Sequence, residues 1–300
     1  MAGKEKFHKG IILAGGSGTR LAPMTLVVNK HLLPVYDKPV LYYSLSTLML
    51  AGIRDILLIS SPDQLDQFEK LLCDGSQWGI RLSYAEQASP EGLPQALTIG
   101  ADFIGGDPVA LALGDNIFYG HDLSLLLAET RKNNAGATIF SYPVRTPERY
   151  GVLVFDSAGK VIDIEEKPKV PKSNEAVTGL YFYDNRAVEF ARQLKKSARG
   201  EYEITDLNRR YLKDGTLQVC KLGRGTVWFD AGSPDSLHQA ASFVELIQTR
   251  SNLGIAFPDE IAFRMGYIDA RAFRALAKRH EKSEYGRYLN MLANDIEAGR

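Results

Sequence analysis

The feature that most restricts the fold is a short apolar run that ends in a glycine-rich turn. Residues Gly10 to Ala14 have the composition of a buried strand, and the glycine-rich segment 15–20 follows without a spacer. Further apolar runs alternate with longer amphipathic stretches, among them the nearly unbroken run Val109 to Leu113. Continuous apolar runs are typical of strands that are buried on both faces. The pattern predicts an α/β fold with a Rossmann-like, mostly parallel sheet covered by helices.

The boundaries of several elements can be predicted from the residues. In the first half, strands are expected at 10–14, 55–59 and 109–113, and helices at 42–51, at 65–73 and after Pro94 through Phe103. From Ala137 onward the pattern changes to strands with short loops, at 137–140, 151–156, 161–164 and 179–183. Helical periodicity returns at 205–212, from Ser233, and over 269–298. We therefore expect antiparallel strands appended to the parallel sheet, and a helical C-terminal segment.

Composition excludes several classes of protein. The 300 residues carry 36 Lys and Arg against 36 Asp and Glu, so the net charge is zero. A chain with no positive excess is a poor candidate for binding nucleic acid or anionic membranes non-specifically. The longest charge-free apolar run, Pro39 to Ile53, is short for a membrane span, and the segment from Met1 to Lys9 lacks the apolar stretch of a signal peptide. Cys73 and Cys220 form no CxxC motif, so a cytoplasmic location is expected.

The glycine-rich segment is the first candidate for a binding function. Glycines let the backbone bend tightly and bring N–H groups close to an anion. The GxGxxG pattern that starts at Gly16 ends in Leu21, and the Lys of a Walker A loop is missing. A plain turn between strand and helix is an equally good interpretation of the glycines alone. Arg20 favours phosphate binding, because a guanidinium matches phosphate oxygens in pairs.

Two aspartates stand where a metal ligand would be expected. Asp115 follows the most apolar strand of the chain, and open α/β sheets bind ligands at the carboxyl ends of their strands. Asp230, in the segment 228–232, supplies a second carboxylate. Each aspartate alone is better explained as a turn or capping residue. Together with a phosphate-type loop they favour Mg²⁺, which takes one or two carboxylates plus substrate phosphates.

Lysines and histidines give weaker signals. Lys30 precedes an apolar segment, whereas Lys167 and Lys38 each precede a proline and are explained equally well as solvated charges. The five histidines form no HxH or HExxH spacing, and no GxSxG motif is present. The sequence therefore offers no histidine metal site and no nucleophile for acyl transfer.

Seven segments carry a resemblance to a known family. The segment KGIILAGGSGTRL at 9–21 resembles the opening signature of the sugar nucleotidyltransferases. Six further segments resemble the glucose-1-phosphate thymidylyltransferases among them: YDKP at 36–39, DGSQWG at 74–79, LGDNIFYGH at 113–121, PERYGV at 147–152, EEKP at 165–168 and VTGLYFYD at 177–184. The resemblance runs from about Lys9 to the C-terminal helices.

The resemblance implies an activity and a set of site residues. The activity is transfer of a thymidylyl group from dTTP to glucose 1-phosphate, with release of pyrophosphate. By motif, the catalytic residues would be Arg20 on the triphosphate, Lys30 on the α-phosphate and Lys167 on the sugar phosphate, with Mg²⁺ held by Asp115 and Asp230. The nucleotide would be bound by Gly15, Gly16, Ser17, Gly18, Thr19, Gln87, Gly92 and Asp115. The sugar phosphate would be bound by Asn116, Tyr150, Gly151, Glu166, Lys167 and Thr178.

The resemblance also implies an organisation of the chain. Residues 1–240 would form the nucleotidyltransferase core, with a nucleotide half at about 1–135 and a sugar-phosphate half at about 136–240. Residues 241–300 would form a helical segment for oligomerisation or regulation. Members of the family are tetramers inhibited by a downstream dTDP-sugar, so a homotetramer with such an inhibitor is expected.

Four positions depart from the family pattern near the nucleotide pocket. Asn29, His31, Pro94 and Ala231 stand where Ser, Gln, Ala and Thr are usual. His31 either makes the activity sensitive to pH near neutrality or points into the core without titrating. The departures leave open the choice of nucleotide and sugar. Two alternatives remain. One is a nucleotidyltransferase that uses another nucleotide, such as UTP, or another sugar phosphate. The other is a non-catalytic sugar-nucleotide sensor on the same fold.

Overall fold

The computed structural model describes residues 9–299. Most of the N-terminal segment considered above, residues 1–8, lies outside the described residues, as does Arg300. The strands are β1 Lys9–Leu13, β2 Pro34–Val35, β3 Lys38–Pro39, β4 Asp55–Ser60, β5 Arg81–Glu86, β6 Val109–Leu113, β7 Asn116–Gly120, β8 Ala137–Pro143, β9 Gly151–Phe155, β10 Val161–Glu166, β11 Glu175–Tyr183, β12 Leu217–Lys221 and β13 Thr226–Asp230. The helices are α1 Leu41–Leu50, α2 Leu65–Leu72, α3 Gln95–Ile99, α4 Ala101–Ile104, α5 Leu123–Asn133, α6 Ala187–Arg192, α7 Ile204–Lys213, α8 Pro234–Ser251, α9 Pro258–Arg264, α10 Ala270–Arg279 and α11 Glu284–Glu297.

One nine-stranded sheet contains strands from both halves of the chain. Its main path runs β10-β9-β11-β6-β1-β4-β5, with β8 paired to β11 and β12 paired to β8. The pairs β6-β1, β1-β4 and β4-β5 are parallel, whereas β11 pairs antiparallel with β6. The predicted α/β fold with a mostly parallel sheet and appended antiparallel strands is therefore confirmed.

Helices cover both faces of this sheet because its central strands are apolar on both sides. Residues 11 to 14, in β1 and directly after it, alternate between the two faces of the sheet. Ile12 and Ala14 belong to the buried cluster that contains residues of helix α1. Ile11 and Leu13 belong to the cluster that contains residues of helices α6 and α7. All four are nearly inaccessible to solvent. Burial on both faces is what the unbroken apolar run predicts.

The helix predicted after Pro94 through Phe103 is wrong in one respect. It is two short helices, α3 and α4, separated at Gly100. A Cβ at Gly100 would lie 2.8 Å from Cδ1 of Ile11, so the helix backbone packs tightly on the side chain of this residue of strand β1. Glycine permits this approach at the cost of helix continuity.

The C-terminal helices α8 to α11 pack mainly on the same chain. Ile255, Phe257 and Ile261 are buried within it. Leu246 and Leu253, by contrast, are 55% and 59% exposed. The chain itself therefore covers most, though not all, of the apolar side chains in this segment. No helix within residues 9–299 combines the length and the apolar character needed to cross a membrane.

Candidate active site

A cleft of about 280 Å³ opens at the carboxyl ends of several strands. Its walls include residues that directly follow β1 and β6, together with residues at the ends of β10 and β13. This is the edge at which open α/β sheets bind their ligands. The cleft therefore lies where the sequence predicts it.

The glycine-rich loop borders the cleft, and its two ends, Gly15 and Arg20, lie in the cleft wall. Gly16 and Gly18 have φ angles of 93° and 60°, a region that side-chain-bearing residues rarely adopt. A Cβ at Gly18 would also lie 2.8 Å from Cγ2 of Thr25. A short 3-10 turn over Thr19–Leu21 follows. Arg20 lines the cleft, and its guanidinium lies beside Gly232. The glycines are thus required by the turn itself, and the turn directs Arg20 into the cleft.

Lys30 and two carboxylates form the charged centre of the cleft. Lys30 Nζ lies 2.6 Å from Oδ2 of Asp115. The backbone N–H of Ala231 donates to the carbonyl of Asp115, and Asp230 pairs with Asn116 in the ladder between β7 and β13. This short ribbon holds the two aspartates close together, although 114 residues separate them in the sequence.

The two aspartates differ in their electrostatics. Burial by itself raises the pKa of Asp115, but the charge of Lys30, with hydrogen bonds from Lys30 and Asn116, outweighs it and holds that pKa well below its usual range. Burial raises the pKa of Asp230, and the negative charge of Asp115 adds to this shift while Arg20 and Lys30 oppose it. A metal cation bound between the two carboxylates would relieve this repulsion.

The two carboxylates fit a hard divalent cation. Within residues 9–299 no group of three or more His, Cys, Asp or Glu side chains lies close enough together to hold a metal. An ion bound by Asp115 and Asp230 would therefore take its remaining ligands from water and from phosphate oxygens. Magnesium prefers that combination of ligands.

His31 lies in the core and is held by Asn29. The amide oxygen of Asn29 accepts from the backbone N–H of His31 at 2.8 Å, and it lies 2.7 Å from Nδ1 of the ring. A Cβ at Gly114 would lie 2.6 Å from Cδ2 of the same ring. Burial, with the charge of Lys30, lowers the pKa of His31 to about 3. The structure therefore favours the alternative in which His31 points into the core, and two of the four unusual residues are partners of each other.

The opposite side of the cleft contains Lys167 and Glu166, at the end of β10. Lys167 has a φ of 43°, rare for a residue with a side chain, and its backbone N–H donates to Tyr150. Oε2 of Glu166 accepts from the Thr205 hydroxyl at 2.5 Å, and Oε1 lies 3.3 Å from Nη1 of Arg199. Glu166 is thus fixed by two partners, while Lys167 lines the cleft.

The side chain of Asn116 makes three hydrogen bonds in the cleft wall. Its Oδ1 accepts from the backbone N–H of Gly179 at 2.9 Å and from Nε1 of Trp228 at 2.7 Å. Its Nδ2 donates to Oδ1 of Asp115 at 3.0 Å. Asn116 therefore joins β7 to β11 and β13 and orients a predicted metal ligand.

The structure brings most of the predicted site residues to one cleft. Those that line it are Gly15, Arg20, Lys30, Asp115, Asn116, Tyr150, Gly151, Glu166, Lys167, Thr178 and Asp230. Gly16, Ser17, Gly18, Thr19, Gln87 and Gly92 do not line it. Gln87 nevertheless places its Oε1 against Gly15, and Gly92 abuts Tyr202 in the cleft wall.

Sequence reasoning missed two cations of the cleft wall. Arg149 and Arg199 both line it. Arg149 lies within the segment PERYGV, so its neighbour Tyr150 could have drawn attention to it. Arg199 lies in an irregular loop before α7, and its relation to Glu166 is visible only in three dimensions.

Comparison with known proteins identifies the class. Residues 9–246 match the family model described as nucleotidyl transferase. The chain belongs to the nucleotidyl transferase family, whose members generally use a divalent metal ion.

The curated relatives narrow this class. A glucose-1-phosphate thymidylyltransferase of Xanthomonas campestris pv. campestris is 58% identical over 95% of this chain and 97% of its own length. One from Neisseria gonorrhoeae is 59% identical over 94% of this chain and 98% of its own. One from Mycobacterium tuberculosis is 54% identical over 94% of this chain and 97% of its own length. The resemblance to the glucose-1-phosphate thymidylyltransferases is thereby confirmed, and so is the expectation of an enzyme.

Solved structures agree with the fold. A protein from Bacillus anthracis, assigned as a glucose-1-phosphate thymidylyltransferase and crystallised with sucrose, superposes with a TM-score of 0.72 at 42% identity. The match covers 79% of this chain and 94% of that one. A UDP-glucose pyrophosphorylase in complex with UDP-glucose superposes with a TM-score of 0.70 at 25% identity. The match covers 80% of this chain and 99% of that one.

Proposed function

We propose that this chain transfers a thymidylyl group from dTTP to glucose 1-phosphate, giving dTDP-glucose and pyrophosphate. The observation that carries the proposal is that one cleft combines three cations, Arg20, Lys30 and Lys167, with the carboxylates of Asp115 and Asp230. Cations and a carboxylate pair are what an in-line displacement at phosphorus requires, because the protein there mainly positions groups and stabilises charge. A sugar-nucleotide sensor would have no need of them.

The nucleotide is bound on the side of the glycine-rich loop. Backbone N–H groups of residues 15–19 face the phosphates, and Arg20 binds the triphosphate with its guanidinium. Lys30 lies deeper in the cleft and neutralises the α-phosphate as negative charge builds up on it during the reaction. Gln87 and Gly92 contact the base.

Glucose 1-phosphate is bound on the opposite side. Lys167 holds its phosphate, and Asn116, Tyr150, Gly151, Glu166 and Thr178 surround the sugar. The Thr205 hydroxyl and Arg199 hold Glu166, so the carboxylate presents a fixed acceptor to sugar hydroxyls. No general base is needed, because the attacking phosphate is already an anion.

Asp115 and Asp230 would hold Mg²⁺. When bound, the ion neutralises phosphate oxygens and helps to align them. Asn116 supports this function by donating to Asp115, so that one carboxylate oxygen keeps its orientation.

A panel of nucleotides and sugar phosphates tests the proposal. Pyrophosphate release is measured with dTTP, UTP and other nucleotides against glucose 1-phosphate and related sugar phosphates, with and without Mg²⁺. Phosphorus NMR of the dTTP reaction should show both products. Faster turnover with UTP would favour a uridylyltransferase, and absence of turnover with every pair would favour the sensor.

We also propose an assembly and a form of control. The chain forms a homotetramer built on the core of residues 1–240, and residues 241–300, with the exposed Leu246 and Leu253, support this assembly. The protein is located in the cytoplasm. It binds no nucleic acid and no membrane. A second cavity of about 210 Å³, which includes Tyr119, His121 and Arg264, supports a remote site for a dTDP-sugar inhibitor. Light scattering measures the mass. Inhibition purely competitive with dTTP, with a single binding event in calorimetry, would contradict the remote site.

A further inference from the structure

A relay of hydrogen bonds connects the loop after β5 to the side chain of Gln87. The backbone N–H of Glu91 donates to Oε1 of Gln95 at 2.7 Å. The same oxygen accepts from Nε2 of Gln87, also at 2.7 Å. Nε2 of Gln95 lies 3.3 Å from a carboxylate oxygen of Glu91. Gln95 is the first residue of α3, so helix α3 carries the middle of the relay.

Chemistry fixes the direction of every bond in this relay. A backbone N–H can only donate, so the atom of Gln95 that faces Glu91 must be the amide oxygen. The atom of Gln87 that faces this oxygen must then be a donor, which is Nε2. The carbonyl oxygen of Gln87 therefore points the other way. It points at Gly15, where a Cβ would lie only 2.3 Å from it.

The relay is itself anchored. Oε1 of Glu91 lies 2.6 Å from Nζ of Lys196, and the carbonyl of Glu91 accepts from the backbone N–H of Tyr202 at 2.7 Å. Gln87 is 4% exposed, so its amide has little room to turn. The acceptor that faces the glycine-rich loop is thus held by a connected set of partners.

We propose that Gln95 is a positioning residue for base selection: it locks the amide of Gln87 with the carbonyl toward the nucleotide, so that the site favours a pyrimidine with an N3–H. This inference rests on the proposed function, which brings a nucleotide base to Gln87. Thymine and uracil carry a donor at N3, whereas cytosine carries an acceptor there. A locked carbonyl accepts from the first two and faces the lone pair of the third. A freely rotating amide would adapt to either.

Two substitutions separate positioning from general damage. Gln95→Met has a similar length and no acceptor, so it releases the Gln87 amide. Gln95→Glu, made together with Glu91→Gln so that no two carboxylates face each other, keeps an oxygen for both the N–H of residue 91 and Gln87 Nε2. Thr98→Val, on the same helix, is the matched control, because its hydroxyl donates to the backbone carbonyl of Gln95 and does not enter the relay.

The readout is the pair of inhibition constants of dUTP and dCTP against dTTP at fixed glucose 1-phosphate. In Gln95→Met the ratio of the dCTP constant to the dUTP constant should fall about tenfold, the effect of one ordinary hydrogen bond. In the double variant Glu91→Gln/Gln95→Glu and in Thr98→Val it should remain close to the wild-type ratio. The kcat with dTTP should change little in all three, because the catalytic cations are untouched.

Two results would overturn the inference. One is an unchanged ratio in a Gln95→Met variant that still turns over dTTP. The other is an equal change in Gln95→Met and in the double variant, which would mean that residue 95 has only a structural role. Failure of the proposed function has a different signature, since the wild-type protein itself would then not convert dTTP.

Discussion

The ammonium nitrogen of Lys38 lies 4.2 Å from the centre of the Phe257 ring. It also lies 5.2 Å from the Tyr43 ring and forms an ion pair with Asp37. Lys38 belongs to the small hairpin of β2 and β3, whereas Phe257 immediately precedes α9. A buried cation with aromatic partners thus connects the β2–β3 hairpin to the C-terminal helices. The sequence alone gave this lysine no function.

The first prediction concerns stability at alkaline pH. Burial lowers the pKa of Lys38 to about 8, against 10.5 for an ordinary lysine. Between these values the unfolded chain binds more protons, so this group makes the free energy of unfolding rise with pH. The unfolding free energy of wild type minus that of Lys38→Met should therefore rise by about 2 kcal/mol from about pH 7 to about pH 10. Urea titrations at several pH values measure it. For Lys195→Met, a substitution at an exposed position, the same difference should not change with pH. If the difference for Lys38→Met also does not change with pH, the prediction is contradicted.

The second prediction is that pH–rate profiles of wild type and His31→Gln superimpose near neutrality. His31 has a pKa of about 3, so it stays neutral throughout the range in which the enzyme is assayed. The rate itself can change, because Gln does not reproduce the contact of Nδ1 with Asn29. Steady-state rates across the neutral range give the answer. A new inflection that disappears in His31→Gln would show that the imidazole titrates after all.

The third prediction assigns Lys30 to the transition state. Lys30→Ala should lower kcat about a hundredfold and leave the KM for dTTP nearly unchanged, since loss of one preorganised electrostatic contact costs about 3 kcal/mol. Steady-state kinetics at saturating Mg²⁺ measure both constants. Asp115→Asn and Asp230→Asn should each raise the Mg²⁺ concentration needed for half-maximal rate. A raised KM with an intact kcat in Lys30→Ala would mean that Lys30 serves ground-state binding only.

The fourth prediction concerns Asn116 as a structural connection. Asn116→Ala leaves the N–H of Gly179 and Nε1 of Trp228 without their acceptor, so the free energy of unfolding should fall by about 2–4 kcal/mol. Chemical denaturation followed by tryptophan fluorescence reports it. Asn133→Ala, at an exposed position, should change stability by less than about 0.5 kcal/mol. Equal effects of the two substitutions would argue against the connection.

Much of the fold could be predicted because apolar periodicity marks fully buried elements. The strand predicted at Val109–Leu113 is observed with the same bounds, and Ser233 caps α8 with a capping box. Strand β5 escaped prediction because it lies at the end of the main path of the sheet, and only one of its six residues, Leu82, falls in the range of burial typical of a core. A half-exposed strand leaves no continuous apolar run to detect.

The site was predictable in its residue types and unpredictable in its contacts. Glycines with positive φ and a carboxylate after a buried strand have local signatures, so residues 15–20 and Asp115 could be found. The burial of His31 and Lys38 depends on residues far away in the sequence, such as Gly114 and Phe257. No local pattern records such partners. The locked amide of Gln87 is likewise a property of several connected contacts and not of any single residue.

The ribbon of β7 and β13 bears on how such a protein can diverge. Gly120 pairs with Thr226, so the excursion 121–225, which carries the cleft residues Tyr150, Glu166 and Lys167, leaves and returns at one place. A ladder that joins both ends of the excursion keeps Asp115 and Asp230 adjacent whatever the loops between them become. Loops such as 144–150 and 195–203 can therefore lengthen, shorten or change composition while the acidic pair stays aligned. Descendants of such a chain could acquire new sugar acceptors without rebuilding the centre that performs the chemistry.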